Sequence, residues 1–405
     1  MKLFGDELHE DFGSWPLAYI PYGGPDFGTI AAVAEAVGDG DDTAFHAAWL
    51  AAGDRLAAEA RDALVREHRV SARESFLQAS VAYCASYHPL YGKPVDPRLI
   101  EAFRKQISAF DEGLALFDPP ILPVRIPFEG TSLPAYLVPA TDRGAEIRPL
   151  VILTNGYDAT VTDLYFASAV AASRRGYHCL IFDGPGQGEM LYEHGVPLRP
   201  DWETVVRAVV DFAVSLPTVD PTRIALSGWS LGGHLALRAA TDEPRLAACI
   251  ADPGLWSVAS AARDFANRLG AGLAPEASLA TLDADVVDRM FAIIQADRGL
   301  RWKIVQRGFW ANGASDLRDY LHRLEDFTLE GRIQNIECPV LLTQADNDPL
   351  AGDTQTVFDA LRGPKRIMRF TAAEGAGDHC EMQNRSLMNR RVLDWLDSVM
   401  AARGA

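Results

Sequence analysis

The spacing of hydrophobic residues along the chain changes near residue 120. Before that point, apolar residues recur every three or four positions over 42–68, 71–87 and 97–117, which is the period of a helix with one buried face. Prolines interrupt the pattern between these segments, and Pro119–Pro120 closes the region. We therefore predict a helical N-terminal domain or cap over residues 1–120.

Beyond residue 120, short apolar runs alternate with helical segments. Two runs, 124–128 and 133–138, flank the turn Glu129-Gly130-Thr131 and predict a β-hairpin. Continuous apolar runs then predict buried strands at 150–154, 179–182, 224–226, 247–251, 340–343 and 366–370. Helical spacing occurs at about 163–175, at 202–216, from 231 onward, and at 385–400. This alternation predicts an α/β fold, with a mostly parallel sheet covered by helices on both faces.

One stretch, 253–336, breaks the alternation because it is helix-like, rich in aromatic residues and without a convincing strand. Its position between two predicted strands favours a helical cap insertion near the carboxyl ends of the sheet, where ligands bind in α/β proteins. The predicted segments are therefore the N-terminal helical region 1–120, a first core part 121–252, the cap insertion 253–336 and a second core part 337–405.

The clearest chemical signal is the sequence Gly228-Trp-Ser-Leu-Gly232, a G-x-S-x-G motif after an apolar run and before a predicted helix. A serine hydroxyl becomes a nucleophile when a sharp turn presents it to a base, and flanking glycines relieve the crowding in that turn. Ser230 is therefore the predicted nucleophile. The backbone N–H of Leu231, at the helix N-terminus, is predicted to bind an oxyanion.

The base and the acid are expected late in the chain, because enzymes with this nucleophile turn have the order serine, acid, histidine. His379 lies between the last predicted strand and the last helix and is the predicted base. Asp348 is favoured as the acid, because it follows the preceding strand three residues beyond a small residue. Asp346 and Asp252 remain as alternatives, and turn or capping chemistry is the ordinary role of such residues.

The second oxyanion donor is expected in the loop after the first long apolar run, at Thr154-Asn-Gly-Tyr-Asp158. We favour the backbone N–H of Tyr157, with Gly156 as the alternative. An ordinary turn would also account for the sequence.

The composition of the chain excludes some classes of binding partner and favours one cellular location. Lys and Arg number 38 against 55 Asp and Glu, which gives a formal net charge of −17 and argues against nucleic acid and anionic membrane surfaces. The five cysteines contain no CxxC pair, which predicts free buried thiols, no zinc site and a reducing cytoplasm. The segment Met1–Asp11 lacks a signal-peptide core, and no stretch has transmembrane length.

Further motifs extend these signals to most of the chain. They are the helical N-terminal region, Asp118-Pro-Pro, the segment around Gly130 and Pro134, and Asp183-Gly-Pro-Gly-Gln-Gly-Glu189. With the serine motif, they make the chain resemble a branch of the α/β-hydrolase superfamily. That branch includes the 2,6-dihydropseudooxynicotine hydrolase, the fungal polyketide chain-shortening hydrolases and the FrsA-like esterases.

The resemblance implies the α/β-hydrolase fold, with Ser230, Asp348 and His379 as the triad, and often a homodimer. It also implies that several relatives cleave a carbon–carbon bond in a ketone or β-dicarbonyl substrate, whereas others cleave esters or amides. The triad supplies the acid–base chemistry, so no metal and no organic cofactor is expected.

Several side chains are predicted to contact a small-molecule substrate. Glu189 could bind a cation or an amine, although a helix-start carboxylate is an equal reading. The remaining candidates are Trp229, Asp252, Trp256 and Trp310, together with Phe309 and Tyr320 of the insertion. For the aromatic residues of the insertion, packing onto the core is the alternative.

These observations favour a hydrolase that cleaves a carbon–carbon bond in a β-diketone or aryl ketone through an acyl-enzyme. Three alternatives remain open. An esterase or aminopeptidase would share every residue named above. An acyltransferase or cyclase would differ only in the acceptor, and a catalytically inactive binding module would keep the fold alone.

Overall fold

The computed structural model describes residues 2–274 and 277–403. The predicted segments 1–120, 253–336 and 337–405 therefore include positions outside the described residues, namely 1, 275–276 and 404–405. Helices precede, interrupt and cover a central sheet, in the order that the hydrophobic pattern predicts.

The part of the chain described by the structure contains one eight-stranded sheet in the order β1-β2-β4-β3-β5-β6-β7-β8. Its strands are β1 (Pro123–Phe128), β2 (Thr131–Val138), β3 (Arg148–Thr154), β4 (His178–Phe182), β5 (Val219–Trp229), β6 (Leu246–Asp252), β7 (Val340–Ala345) and β8 (Lys365–Phe370). β2 pairs antiparallel with β1 and β4, and the other neighbours are parallel. Strands β4 and β6 are buried along their whole length, which explains why they read as unbroken apolar runs.

The helices before the sheet are α1 (Glu7–Gly13), α2 (Phe27–Val37), α3 (Asp42–Val65), α4 (Arg69–Ser86) and α5 (Pro97–Leu114). Those that follow the strands are α6 (Val161–Leu164), α7 (Val170–Arg174), α8 (Gly188–Tyr192), α9 (Trp202–Ser215), α10 (Leu231–Ala240), α16 (Thr354–Ala360) and α17 (Arg385–Arg403). Between β6 and β7 lie α11 (Ser260–Arg268), α12 (Ala284–Ala296), α13 (Arg298–Leu300), α14 (Phe309–Asn312) and α15 (Leu317–Glu325). Two π-helical segments, Tyr165–Ala169 and Arg301–Gly308, join α6 to α7 and α13 to α14.

Local sequence signals account for the helix starts. Helix α5 begins at Pro97, whose fixed φ suits the first helical position, and the Asp96 carboxylate accepts the Arg98 N–H at 2.8 Å. At the start of α3, the Asp41 side chain likewise accepts hydrogen bonds from the backbone N–H groups of Thr43 and Ala44. These capped starts coincide with the starts predicted from hydrophobic spacing.

The regions outside the sheet have apolar cores of their own and also share the core of the sheet. Phe45, Trp49 and Phe76 belong to a cluster of the N-terminal helices, and Met290 and Leu321 belong to a cluster of the insertion. Other N-terminal side chains pack in the same cluster as the sheet, among them Leu8, Phe12 and Tyr87. The division into segments at residues 120, 252 and 336 stays a prediction.

The parallel strands place the chemistry of the chain along one edge. Strands β3, β5, β6, β7 and β8 run in the same direction, so the residues that follow them meet at the same edge of the sheet. The predicted oxyanion loop, nucleophile, acid and base all lie in these connections.

Two expectations about the whole chain concern thiols and membranes. All five cysteines are buried and free, as predicted. Across residues 2–274 and 277–403, no helix combines the length and the hydropathy needed to cross a membrane.

Candidate active site

Ser230 lies at the sharp junction between β5 and α10. Its backbone has φ 59° and ψ −133°, a conformation that side-chain-bearing residues rarely adopt. The Ser230 N–H donates to the Asp252 carbonyl at 2.6 Å, which anchors the turn to the neighbouring strand β6. This strained turn presents the hydroxyl group above the end of the sheet.

The glycines around Ser230 are required by close backbone contacts. A Cβ at Gly228 would lie 1.9 Å from the Gly232 carbonyl oxygen, and one at Gly233 would lie 2.2 Å from the Pro253 carbonyl oxygen. Both separations are far below a van der Waals contact. The glycine-rich motif therefore allows α10 to approach the ends of β5 and β6.

The structure brings Ser230, His379 and Asp348 into a hydrogen-bonded series. His379 Nε2 lies 3.0 Å from Ser230 Oγ, and His379 Nδ1 lies 2.8 Å from Asp348 Oδ1. The other two candidate acids lie elsewhere. Asp346 accepts the Ala372 N–H at 2.9 Å, and Asp252 pairs with Arg385. The arrangement can accept a proton from the serine while the carboxylate holds the imidazole ring.

The environment of His379 shifts its pKa through two opposing effects. Burial alone would lower the pKa of His379, but the hydrogen bond and the charge of Asp348 outweigh it, so that the pKa is raised above its usual value. The Asp348 side chain is only 1% exposed, whereas that of His379 is 35% exposed. The imidazole can therefore reach a ligand while the carboxylate stays shielded from water.

The loop after β3 lies close to Ser230. A Cβ at Gly156 would lie 3.0 Å from the Leu231 nitrogen and 3.1 Å from Ser230 Oγ. Glycine at this position thus lets the loop approach the first backbone N–H of α10. Tyr157 follows directly, and its side chain is buried. The geometry is suited to a developing oxyanion.

Arg385 and Asp252 form a buried ion pair next to the histidine loop. Arg385 Nη1 binds Asp252 Oδ2 at 2.8 Å and the Cys380 carbonyl at 2.7 Å, and both charged side chains are at most 2% exposed. Thr343 Oγ1 also donates to Asp252. Burial, and then the charge of Asp252, raises the pKa of Glu381 well above its usual value. The pair links the end of β6 to the histidine loop.

Residues that the sequence did not single out also contact the site. Cys380 Sγ lies 3.1 Å from the Ser230 nitrogen, and the Trp15 ring lies 6.1 Å from the Trp229 ring. In the sequence, only the position of Cys380 next to His379 indicated that it could contact the site. Arg385 and Trp15 carried no such signal, because long-range contacts leave no local pattern.

The predicted substrate-contact residues are spread over several environments. Trp229 is buried with its ring 5.2 Å from the Arg385 guanidinium carbon, while Trp310 stacks on Tyr192 with ring centroids 5.3 Å apart. Phe309 packs on Tyr320, with ring centroids 5.5 Å apart. Trp256 is half-buried, and its carbonyl accepts the Leu329 N–H. Trp310, Phe309 and Tyr320 thus pack on other aromatic rings.

The Glu189 carboxylate pairs with other side chains of the same chain. Glu189 pairs with Arg125 and with His194, and it lines a cavity of about 180 Å³ together with Asp183. Its charge is therefore already neutralised within the chain.

Asp348, His379 and Cys380 place ligand-type atoms within 4.8 Å of one another. However, both ring nitrogens of His379 already bind Ser230 and Asp348, and Cys380 Sγ lies 3.5 and 3.7 Å from these two nitrogens. A sulfur nearly equidistant from both nitrogens faces the ring rather than a nitrogen lone pair. An ion bound to either ring nitrogen would have to displace the hydrogen bond made there, so the geometry fits the hydrogen-bonded series better than a metal.

Comparison with known proteins assigns the chain to a family. Residues 150–387, which include Ser230, Asp348 and His379, match the model described as the Alpha/beta hydrolase family. The chain belongs to the alpha/beta hydrolase family. It is 34% identical to Hydrolase ORFZ of Pyricularia oryzae over 93% of this chain and 92% of that protein. It is also 31% identical to 20-hydroxy-prefusarin hydrolase FUS2 of Gibberella moniliformis, over 95% and 94%.

Solved structures support the same fold for this alpha/beta hydrolase. The 2,6-dihydroxy-pseudo-oxynicotine hydrolase superposes with a TM-score of 0.73 at 21% identity, over 95% of this chain and 96% of that one. AbyA5 superposes with a TM-score of 0.63 at 18% identity, over 97% and 98%. The family resemblance, the α/β-hydrolase fold and the prediction of an enzyme are thereby confirmed.

Proposed function

We propose that this alpha/beta hydrolase acts through an acyl-enzyme formed on Ser230. The observation that carries the proposal is the series of hydrogen bonds at 3.0 and 2.8 Å from Ser230 through His379 to Asp348, set at a strained strand-to-helix turn. His379 is the general base and Asp348 orients it. An inactive binding module would have no reason to keep this geometry together with the backbone strain at Ser230.

The reaction follows from the atoms present. Ser230 Oγ attacks the substrate carbonyl as its proton passes to His379 Nε2, and the new oxyanion accepts hydrogen bonds from the N–H groups of Leu231 and Tyr157. Collapse of the tetrahedral intermediate expels the leaving group, which takes the proton from His379. Water then attacks the acyl-enzyme with His379 again as base, which releases a carboxylic acid and free Ser230.

The favoured substrate is a small β-diketone or aryl ketone that is cleaved at a carbon–carbon bond. In such a cleavage the leaving group is a carbanion, so a neighbouring carbonyl must accept its charge. Support comes from the family resemblance, which extends to relatives that cleave this kind of bond. Oxygen esters and amides are the alternative substrates, because the same atoms would cleave them.

The test measures covalent adducts by intact mass. The wild-type chain and Ser230→Ala are mixed with p-nitrophenyl esters, aminoacyl anilides and aryl β-diketones, and each mixture is sampled over time. We expect a transient acyl adduct or turnover with wild type alone, and the responding compound class identifies the bond cleaved. Absence of any adduct, together with failure of a fluorophosphonate to label wild type, would contradict Ser230 as nucleophile.

The pH dependence of acylation is a further prediction. His379 must be neutral to accept the serine proton, and its pKa is raised through Asp348, so kcat/KM should fall about tenfold per pH unit below an inflection above pH 6.5. Asp348→Asn should move this inflection to lower pH, whereas Asp346→Asn should leave it in place. Release of p-nitrophenolate between pH 5 and pH 9 measures it, and an inflection at or below the ordinary value would contradict the assignment.

Two expectations concern the state of the protein in the cell. The family resemblance supports a homodimer, which sedimentation velocity of the purified chain would test. Five buried and unpaired thiols support a reducing, cytoplasmic location, which fractionation of the producing cells would test.

A further inference from the structure

The predicted oxyanion loop is held by side chains of the insertion. Arg307, in the π-helical segment Arg301–Gly308, binds the Asp158 carboxylate at 2.7 Å, and its guanidinium carbon lies 4.8 Å from the Tyr157 ring centroid. Asn312 Nδ2 donates to the Tyr157 hydroxyl at 2.9 Å. Both residues that follow Gly156 are thus bound by one short stretch of the insertion.

The same loop is held from the opposite side by the N-terminal region. The Asp158 carbonyl oxygen accepts a hydrogen bond from the Tyr91 hydroxyl at 3.2 Å and lies 3.1 Å from His88 Nε2. The Trp302 indole N–H, from the same π-helical segment as Arg307, donates to the His88 carbonyl at 2.9 Å. These contacts close a ring through the insertion, the N-terminal region and the loop.

We propose that Arg307 and Asn312 are positioning residues that fix the oxyanion loop, so that the insertion controls the chemical step. This inference rests on the proposed function, because it assigns the Tyr157 N–H to the oxyanion. An oxyanion donor must lie about 2.7–3.1 Å from the charge it stabilises, so a small displacement of the loop weakens the transition state.

The Arg307 side chain makes two contacts with the loop at the same time. Its planar guanidinium binds the Asp158 carboxylate and lies over the Tyr157 ring, so it fixes the direction of the loop, which an ammonium group would do less well.

The experiment compares Arg307→Met, Arg307→Lys and Asn312→Leu with a matched control in the same insertion. The control is Arg323→Met, because Arg323 binds Asp319 at 2.7 Å in an exposed pair. The substrates are p-nitrophenyl acetate, which is too small to need the insertion for binding, and its thiono analogue, whose sulfur is a poor hydrogen-bond acceptor.

We expect Arg307→Met to lower kcat on the ester about 10- to 100-fold, with KM changed less than about threefold. The ratio of ester to thionoester turnover should fall by a similar factor, because only the oxygen uses the oxyanion donors. Arg307→Lys should recover part of this ratio, Asn312→Leu should lower it, and Arg323→Met should leave it unchanged. Thermal melting of each variant reports folding separately.

Two outcomes would overturn the inference, and they differ from failure of the proposed function. Arg307 and Asn312 variants with a lowered melting temperature but an unchanged ester-to-thionoester ratio would show a purely structural role. Variants with wild-type kcat would exclude any role of the pair in the chemical step. If wild type itself forms no acetyl adduct on Ser230 and is not labelled by fluorophosphonate, the proposed function falls and this inference falls with it.

Discussion

Gly156→Ala should abolish most of the activity while leaving the protein folded. The new methyl group would lie 3.0 Å from the Leu231 nitrogen, 3.1 Å from Ser230 Oγ and 2.9 Å from Ser230 Cβ, so the loop that carries the proposed Tyr157 donor would have to move away from Ser230. Loss of a single oxyanion donor costs about 10²–10³ in kcat, so we expect a fall of about that size. Steady-state turnover of a p-nitrophenyl ester measures the effect.

The matched control for this change is Gly352→Ala. Gly352 lies four residues after Asp348, and a Cβ there would have open space around it. We expect its turnover to stay within about twofold of wild type, because an isolated surface substitution rarely has a larger effect. Turnover of Gly156→Ala within tenfold of wild type, with a melting temperature equal to that of the control, would place the oxyanion elsewhere.

Arg385→Met should lower the free energy of unfolding by about 3–5 kcal/mol. The change leaves the Asp252 carboxylate buried without its cation, and it removes the hydrogen bond from Arg385 to the Cys380 carbonyl. Because Cys380 follows His379 directly, activity should fall beyond the loss that partial unfolding explains. Urea unfolding monitored by tryptophan fluorescence, together with ester turnover at low urea, separates the two effects.

The double variant Arg385→Met with Asp252→Asn tests the reason given. Removing the orphaned charge should restore part of the lost stability, since the main cost of breaking a buried pair is the uncompensated partner. Arg55→Met serves as the control, because Arg55 pairs with Glu59 on the exposed face of α3 and should change stability by less than about 1 kcal/mol. A double variant less stable than Arg385→Met would show that Asp252 does not require Arg385 for charge compensation.

The strands were the most predictable part of the fold. Strands β3, β4 and β6 are buried along nearly all of their length, and a strand buried on both faces must be apolar at every position. The helices on either side of the sheet were predictable from the spacing of their apolar residues and from their capping residues. The bounds of β5 were predicted least well, because the residues from Asp220 to Arg223 are mostly polar and partly exposed.

The turn at Ser230 was predictable for a different reason. Its geometry requires glycines at fixed offsets, so the turn can be recognised from consecutive residues. Chain order then selected His379 without any knowledge of distance. The sequence favoured Asp348 over Asp346 by its distance from a small residue, and in the structure Asp348 lies 2.8 Å from His379 whereas Asp346 accepts the Ala372 N–H.

The supporting contacts could not be predicted, since they join positions far apart in the chain. Arg385 meets Asp252 across 133 residues, and Arg307 meets Asp158 across 149 residues. The sequence shows an arginine on a helix in each case, and most such residues are solvated. The aromatic residues of the insertion were ambiguous for a similar reason, because packing and ligand contact require the same side chains.

The order of the site residues along the chain has a consequence for protein synthesis. His379 follows Ser230 by 149 residues and lies beyond the last strand, β8. At about 5–20 residues per second, roughly 7–30 s separate the translation of the two residues. Throughout that interval, the proposed nucleophile is present on the ribosome-bound chain without its base. A nascent chain should therefore remain inert toward metabolites until translation has passed the histidine.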